Sequence, residues 1–104
     1  MLPAPPSNIT VTPITSRSIY VAWQPPQFTG YTNITSYIVE LVENVSTHSD
    51  FILVDARNHS LHLSTLKPFT WYYVGMRAVN QIGRSGFGDV IRVQTLPEGT
   101  VELV

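Results

Sequence analysis

Along this chain apolar residues recur at every second position, in runs too short to build helices. Ile9 and Val11 alternate with Thr10 and Thr12, and Ile19, Val21 and Trp23 with Tyr20, Ala22 and Gln24. Tyr37, Val39 and Leu41 interleave with Ile38, Glu40 and Val42, and Leu61 and Leu63 with His62 and Ser64. Tyr72, Val74, Met76 and Ala78 share one face of a segment expected from about Thr70 to Asn80, and Ile91 and Val93 flank Arg92. A period of two sends successive side chains to opposite faces of a pleated strand. Together with the apolar run Phe51 to Val54, these segments predict seven strands separated by turn residues, the pattern of an antiparallel sandwich. The eight prolines fit it if all lie at strand ends, between strands or in terminal connectors, where no ladder donor is lost.

Such a sandwich must be held by packing alone, because the 104 residues include no cysteine. That excludes a disulfide framework, a thiolate metal site and a thiol nucleophile. One core is what a chain of this length supports. With 43% hydrophobic residues it is not a disordered segment, and no apolar run approaches the roughly 20 residues of a membrane-spanning helix. A net charge of −1 and 12% charged residues give no electrostatic pull toward nucleic acid or anionic lipid, so neither partner is expected, nor direct membrane contact.

Four of the five asparagines stand in Asn-X-Ser/Thr triplets: Asn8-Ile-Thr, Asn33-Ile-Thr, Asn44-Val-Ser and Asn58-His-Ser. Serine and threonine make up roughly a fifth of the chain, so chance would give about one such triplet. Each is an N-glycosylation acceptor, which demands the secretory pathway and a surface position. Asn8, Asn33, Asn44 and Asn58 are therefore expected glycosylation sites. No cationic and apolar leader follows Met1-Leu2-Pro3, so the chain reads as a piece of a larger ectodomain. Proline-rich residues 1–6 read as a linker, 7–96 as the domain, and 97–104 as a linker or the start of a next domain.

The landmarks in order are Pro6, Trp23 followed by Pro25-Pro26, Gly30 and Ile34 ahead of Tyr37-x-Val39, and Leu66-x-Pro68-x-Thr70-x-Tyr72. Then come Ala78-Val79-Asn80, a turn with Gly83, Ser85 and Gly86, and Val93-x-Thr95. In this the chain resembles a fibronectin type III domain over nearly its whole length. The resemblance implies an all-β, seven-stranded, immunoglobulin-like sandwich. Trp23, Tyr37, Leu66 and Tyr72 are its expected core, with Tyr72 as a tyrosine corner whose hydroxyl bonds to backbone just upstream. Gly83, Gly86 and Gly88 are expected to permit positive φ in the last hairpin. The stretch from Gly30 to Ile34 is longer than is common in the family, so that loop should bulge. Arg84-Ser85-Gly86-Phe87-Gly88-Asp89 lacks the Arg-Gly-Asp of integrin-binding members.

A contact surface is read from the strand phase. Ile38, Glu40 and Val42, then Ile52 and Val54, then Trp71, Tyr73 and Arg77, and Val90, Arg92 and Gln94 are expected to point outward. Of these, Ile38, Val42, Tyr73 and Val90 are candidate interface residues. The alternative role is cross-strand pairing, with Glu40 near Arg77 and Arg92 as a charge ladder. Phe28 and Tyr31 in the loop after the second strand, with Ile82 and Phe87 in the last hairpin, are expected to cluster at the N-terminal pole. Packing of loop on loop is the expected role of this cluster, and as its alternative, contact with a preceding domain or a partner, Phe28, Tyr31 and Phe87 complete the candidate interface.

No catalytic constellation is found. His59 and His62 do not converge on one metal, His48 and Asp50 read as a solvated turn, and Gly-x-Ser-x-Gly and phosphate-binding loops are absent. No cofactor or metal is expected. The reading is a non-catalytic, extracellular interaction and spacer module of a cell-surface or secreted protein. Its expected partners are neighbouring domains of its own chain and an extracellular ligand or co-receptor. A purely structural spacer and an intracellular muscle-type module of the same family are the alternatives.

Overall fold

A computed structural model describes residues 1–44 and 49–99, and its regular structure is entirely strand. The seven strands are β1 (Ser7–Thr15), β2 (Ser18–Gln24), β3 (Ser36–Glu43), β4 (Ser49–Asp55), β5 (Ser60–Leu63), β6 (Trp71–Val79) and β7 (Ile91–Gln94). They form two antiparallel sheets, ordered β1-β2-β5 and β4-β3-β6-β7. The period-two segments supply the interior: Ile19, Val21 and Trp23 from one sheet meet Tyr37, Val39, Leu41, Val74, Met76, Ala78 and Val93 from the other.

Trp23 is 3% exposed and meets Tyr37 edge-on, with ring centroids 5.5 Å apart. Its indole Nε1 is buried with no hydrogen-bond partner among the described residues. An orphan donor costs about 1–3 kcal/mol, less than the 3–5 kcal/mol that truncating a buried tryptophan typically forfeits, so the ring is retained. Tyr72 is buried, and its hydroxyl accepts the Lys67 amide at 2.9 Å. Thr95 closes the same corner: its Oγ1 donates to the Lys67 carbonyl at 2.6 Å and accepts the Thr70 amide at 3.0 Å.

Two backbone expectations are corrected. Pro13 lies inside β1, opposite Ile19, rather than at a strand end. It is tolerated because β1 is the edge of its sheet, where a missing N–H can face away from the ladder. In the last loop Gly83, Gly86 and Gly88 do not use positive φ; the described glycines that do are Gly30 and Gly99. Gly30 is needed for another reason as well, since a Cβ there would collide with the Met1 carbonyl oxygen.

Strand direction assigns the loops to two ends. Ser7 pairs with Gln24, and Ser36 with both Asp55 and Val79, so residue 8, the β2–β3 and β4–β5 loops and the segment after β6 share one pole. Residues 1–6, expected as a linker, pack along that pole: the Ala4 amide donates to the Phe28 carbonyl, and Pro3 and Pro6 are buried. At the opposite end the Asn44 amide donates to the Trp71 carbonyl. Of the segment expected as a second linker, residues 100–104 fall outside the described residues.

Candidate protein interface

The outer face of the four-stranded sheet is built in cross-strand rows. Leu53, Ile38 and Arg77 form one row, Phe51, Glu40 and Gly75 the next, and Val42, Tyr73 and Arg92 a third. The expected phase of β4 is thereby corrected. Ile52 and Val54 turn inward, Val54 into the core, while Phe51 and Leu53 face out at 63% and 73% exposure. A four-residue apolar run carries no alternation of its own, so the pairing to β3 decides its phase. Phe51 and Leu53 are the exposed residues of this face that the sequence reading missed, and their spacing between Asp50 and Asp55 was too weak a signal to find them.

The expected charge ladder is absent as well. Glu40 lies opposite Gly75 and accepts a hydrogen bond from Ser49 Oγ at 3.4 Å. Arg77 instead donates to the Ser85 carbonyl at 2.8 Å and stacks over Phe87 at 3.8 Å, while Arg92 stacks over Trp71 at 4.0 Å. Both guanidiniums find a ring face rather than a carboxylate, which is worth about 0.5–1 kcal/mol at exposed sites. Gly75 leaves a shallow dimple of about 70 Å³ lined by Glu40, Val42, Tyr73, Phe87 and Val90. Its mostly apolar lining gives this part of the face a shape that can receive a side chain.

The aromatic cluster expected at the N-terminal pole is divided. Phe28 and Tyr31 pair edge-to-face at 5.2 Å, but Phe87 lies on the sheet face against Arg77 and Gly75. The phase of β6 accounts for this, because it turns Gly75 and Arg77 outward beneath the last loop. Ile38, Val42 and Tyr73 are half-buried in the sheet face, and Val90 is exposed at its margin.

The asparagines divide by environment. Asn8, Asn33, Asn44 and Asn58 are all exposed, the first, second and fourth at the N-terminal pole and Asn44 at the other. Asn8 occupies a bulge of β1 with φ of 51°, a conformation asparagine tolerates. Asn80, the asparagine outside any acceptor triplet, is 3% exposed. Its Nδ2 donates to the Met1 and Thr29 carbonyls at 2.8 and 3.0 Å, and its Oδ1 accepts the Ile82 and Gly83 amides.

Shifted ionisations accompany this framework. Burial pushes the Tyr37 phenol above its ordinary value. Arg57 holds the Asp55 carboxyl below the usual range, through a side-chain hydrogen bond at 3.0 Å and its own backbone amide. His59 and His62 are both exposed, His48 lies outside the described residues, and no group of three or more acidic, histidine or cysteine side chains converges among the described residues.

Comparison with known proteins adds four relations. The family profile described as fibronectin type III domain matches residues 4–94. Titin of Drosophila melanogaster is 36% identical over 84 residues, covering 78% of this chain and, to the nearest per cent, 0% of that protein. The cell adhesion molecule DSCAM of Gallus gallus is 30% identical over 95 residues, 91% of this chain and 5% of the other. Among solved structures, the FN5 domain of Drosophila Lar superposes with a TM-score of 0.77 at 26% identity, covering 94% of this chain and all of that one. The chain thus spans a small fraction of the curated relatives it matches.

Proposed function

Because this chain belongs to the fibronectin type III domain family, we propose that it serves as a non-catalytic, extracellular interaction and spacer module of a cell-surface receptor or adhesion protein. The observation that carries this reading is the sorting of asparagines. All four acceptor asparagines stand in solvent, where a glycan can be attached, and the one asparagine without an acceptor triplet is buried. Similarity to the cell adhesion molecule DSCAM supports the same assignment. Glycans at Asn8, Asn33 and Asn58 would crowd one pole, and the outer face of the β4-β3-β6-β7 sheet then offers the surface for a partner. Its contacts would be Ile38, Val42, Tyr73, Val90 and Phe87, with the Phe28–Tyr31 pair turned toward a preceding domain.

Similarity to titin favours a second reading, an intracellular module of the same family whose acceptor triplets are never used. Secretion from mammalian cells separates the two. The extracellular reading expects a mobility increase after N-glycosidase treatment and sugar-bearing peptides that include Asn33 and Asn58. A secreted chain bearing no sugar at any of the four positions would transfer the assignment to the intracellular module.

A further inference from the structure

The two sheets expose four edge strands, and three of them carry features that discourage pairing with another chain. β1 contains Pro13 and two register shifts, β5 has four residues, and β7 has four with Arg92 among them. Short strands, bulges, prolines and charges are how sheets blunt their edges. β4 carries neither a proline nor a bulge, and its charges, Asp50 and Asp55, stand near its ends rather than at its centre. It is seven residues long, without proline or cation, and pairs with β3 from Ser49 to Asp55 with no register shift. Its centre is Phe51-Ile52-Leu53-Val54, and no strand lies beyond it among the described residues.

We infer that β4 is a homotypic edge, joining a second copy of this chain antiparallel about a two-fold axis at Ile52. The strand's own sequence selects that arrangement. Antiparallel partners must have the same facing, and centring on Ile52 is the one register that pairs all seven residues of both strands. Phe51 then lies opposite the partner copy's Leu53 twice over, both on the outer face, where each is now exposed. Asp50 meets Val54 and Asp55 meets Ser49, so no carboxylate opposes a carboxylate. Centring half a residue later would set Asp50 against Asp55 and reverse the facing of every pair. A parallel pairing in register would stack each aspartate on its copy. The result is an eight-stranded sheet in which the outer rows run on from Ile38 and Leu53 of one copy to Phe51 and Glu40 of the other. This inference does not depend on whether the chain works outside or inside the cell.

The absence of cysteine makes the test clean. In sugar-free protein, sedimentation velocity from about 10 µM to about 1 mM is expected to show a reversible dimer, weak because an edge contact buries little area. Leu53→Lys, at an exposed position, is expected to weaken it at least about tenfold, while Tyr20→Lys, exposed on β2 of the other sheet, leaves it unchanged. Mild oxidation of an equimolar mixture of Phe51→Cys and Leu53→Cys chains should give the mixed disulfide well beyond the roughly twofold excess over each symmetric one that random pairing yields, since opposed positions lie within bridging distance and positions two residues apart do not. A chain monomeric throughout that range, a dimer insensitive to Leu53→Lys, or a mixed disulfide no more abundant than random pairing gives would each overturn the inference.

Discussion

The Tyr72 hydroxyl holds the amide of Lys67, the first residue after Leu66, at 2.9 Å in a partly buried position. Tyr72→Phe keeps the ring and leaves that donor without its partner, and is expected to lower stability by about 1–2 kcal/mol, read as a reduced urea midpoint with unchanged slope. Asn80 is a stronger case, because one amide group satisfies four backbone groups from three segments of chain. Asn80→Ala is expected to cost about 3 kcal/mol, while Asn33→Ala in sugar-free protein stays within about 0.5 kcal/mol. Equal effects would mean that the pole is not organised around Asn80. Trp23 and Tyr72 could be found in the sequence because large apolar rings at inward positions have few other places to go. Asn80 was legible only as a landmark: nothing local distinguishes a buried asparagine from a solvated one, since its partners, at Met1 and Thr29, are remote in sequence.

Elements were legible in proportion to how much alternation they contain. β2, β3 and β6 declare their inward faces residue by residue, and the structure buries those faces. β4 begins and ends polar around four consecutive apolar residues, so its phase came only from the neighbour it pairs with. Pro13 misled for a related reason, because whether a strand is an edge is a property of the sheet order rather than of the strand. The glycines of the last loop were read for backbone freedom they do not use, whereas Gly75, in mid-strand, matters for space. A Cβ at Gly75 would lie 3.1 Å from Phe87 Cδ1 and 3.7 Å from Val90 Cγ2. Gly75→Leu is therefore expected to fill the dimple and lift Phe87 off Arg77. The ring-current shift of the Arg77 side-chain protons should collapse in NMR spectra, with stability changed by no more than about 1 kcal/mol. Retention of that shift would show that the stack does not depend on the gap.

At the scale of the whole molecule, two sheets close on one another with no covalent link, so conditions that charge the interior act directly on the fold. Tyr37 is the ionisable group most exposed to this effect: it is 1% accessible, packs on Trp23, and burial raises its phenol above the ordinary 10.0. Above about pH 10 the unfolded chain releases a proton that the folded chain still holds, so the unfolded state binds fewer protons and stability falls with rising pH. The stability associated with the neutral phenol is complete below the unfolded value and is lost as the pH climbs toward and through the raised folded value. Denaturant midpoints measured from about pH 8 to about pH 11.5 should be flat at first and then decline. Tyr37→Phe keeps the ring that meets Trp23 and removes the proton, so its midpoints should decline less steeply over the upper part of that range. Equal slopes for the two proteins would shift the cause of alkaline unfolding to the remaining tyrosines and to general charge repulsion, and would mean that the Tyr37 hydroxyl reaches water in the folded state.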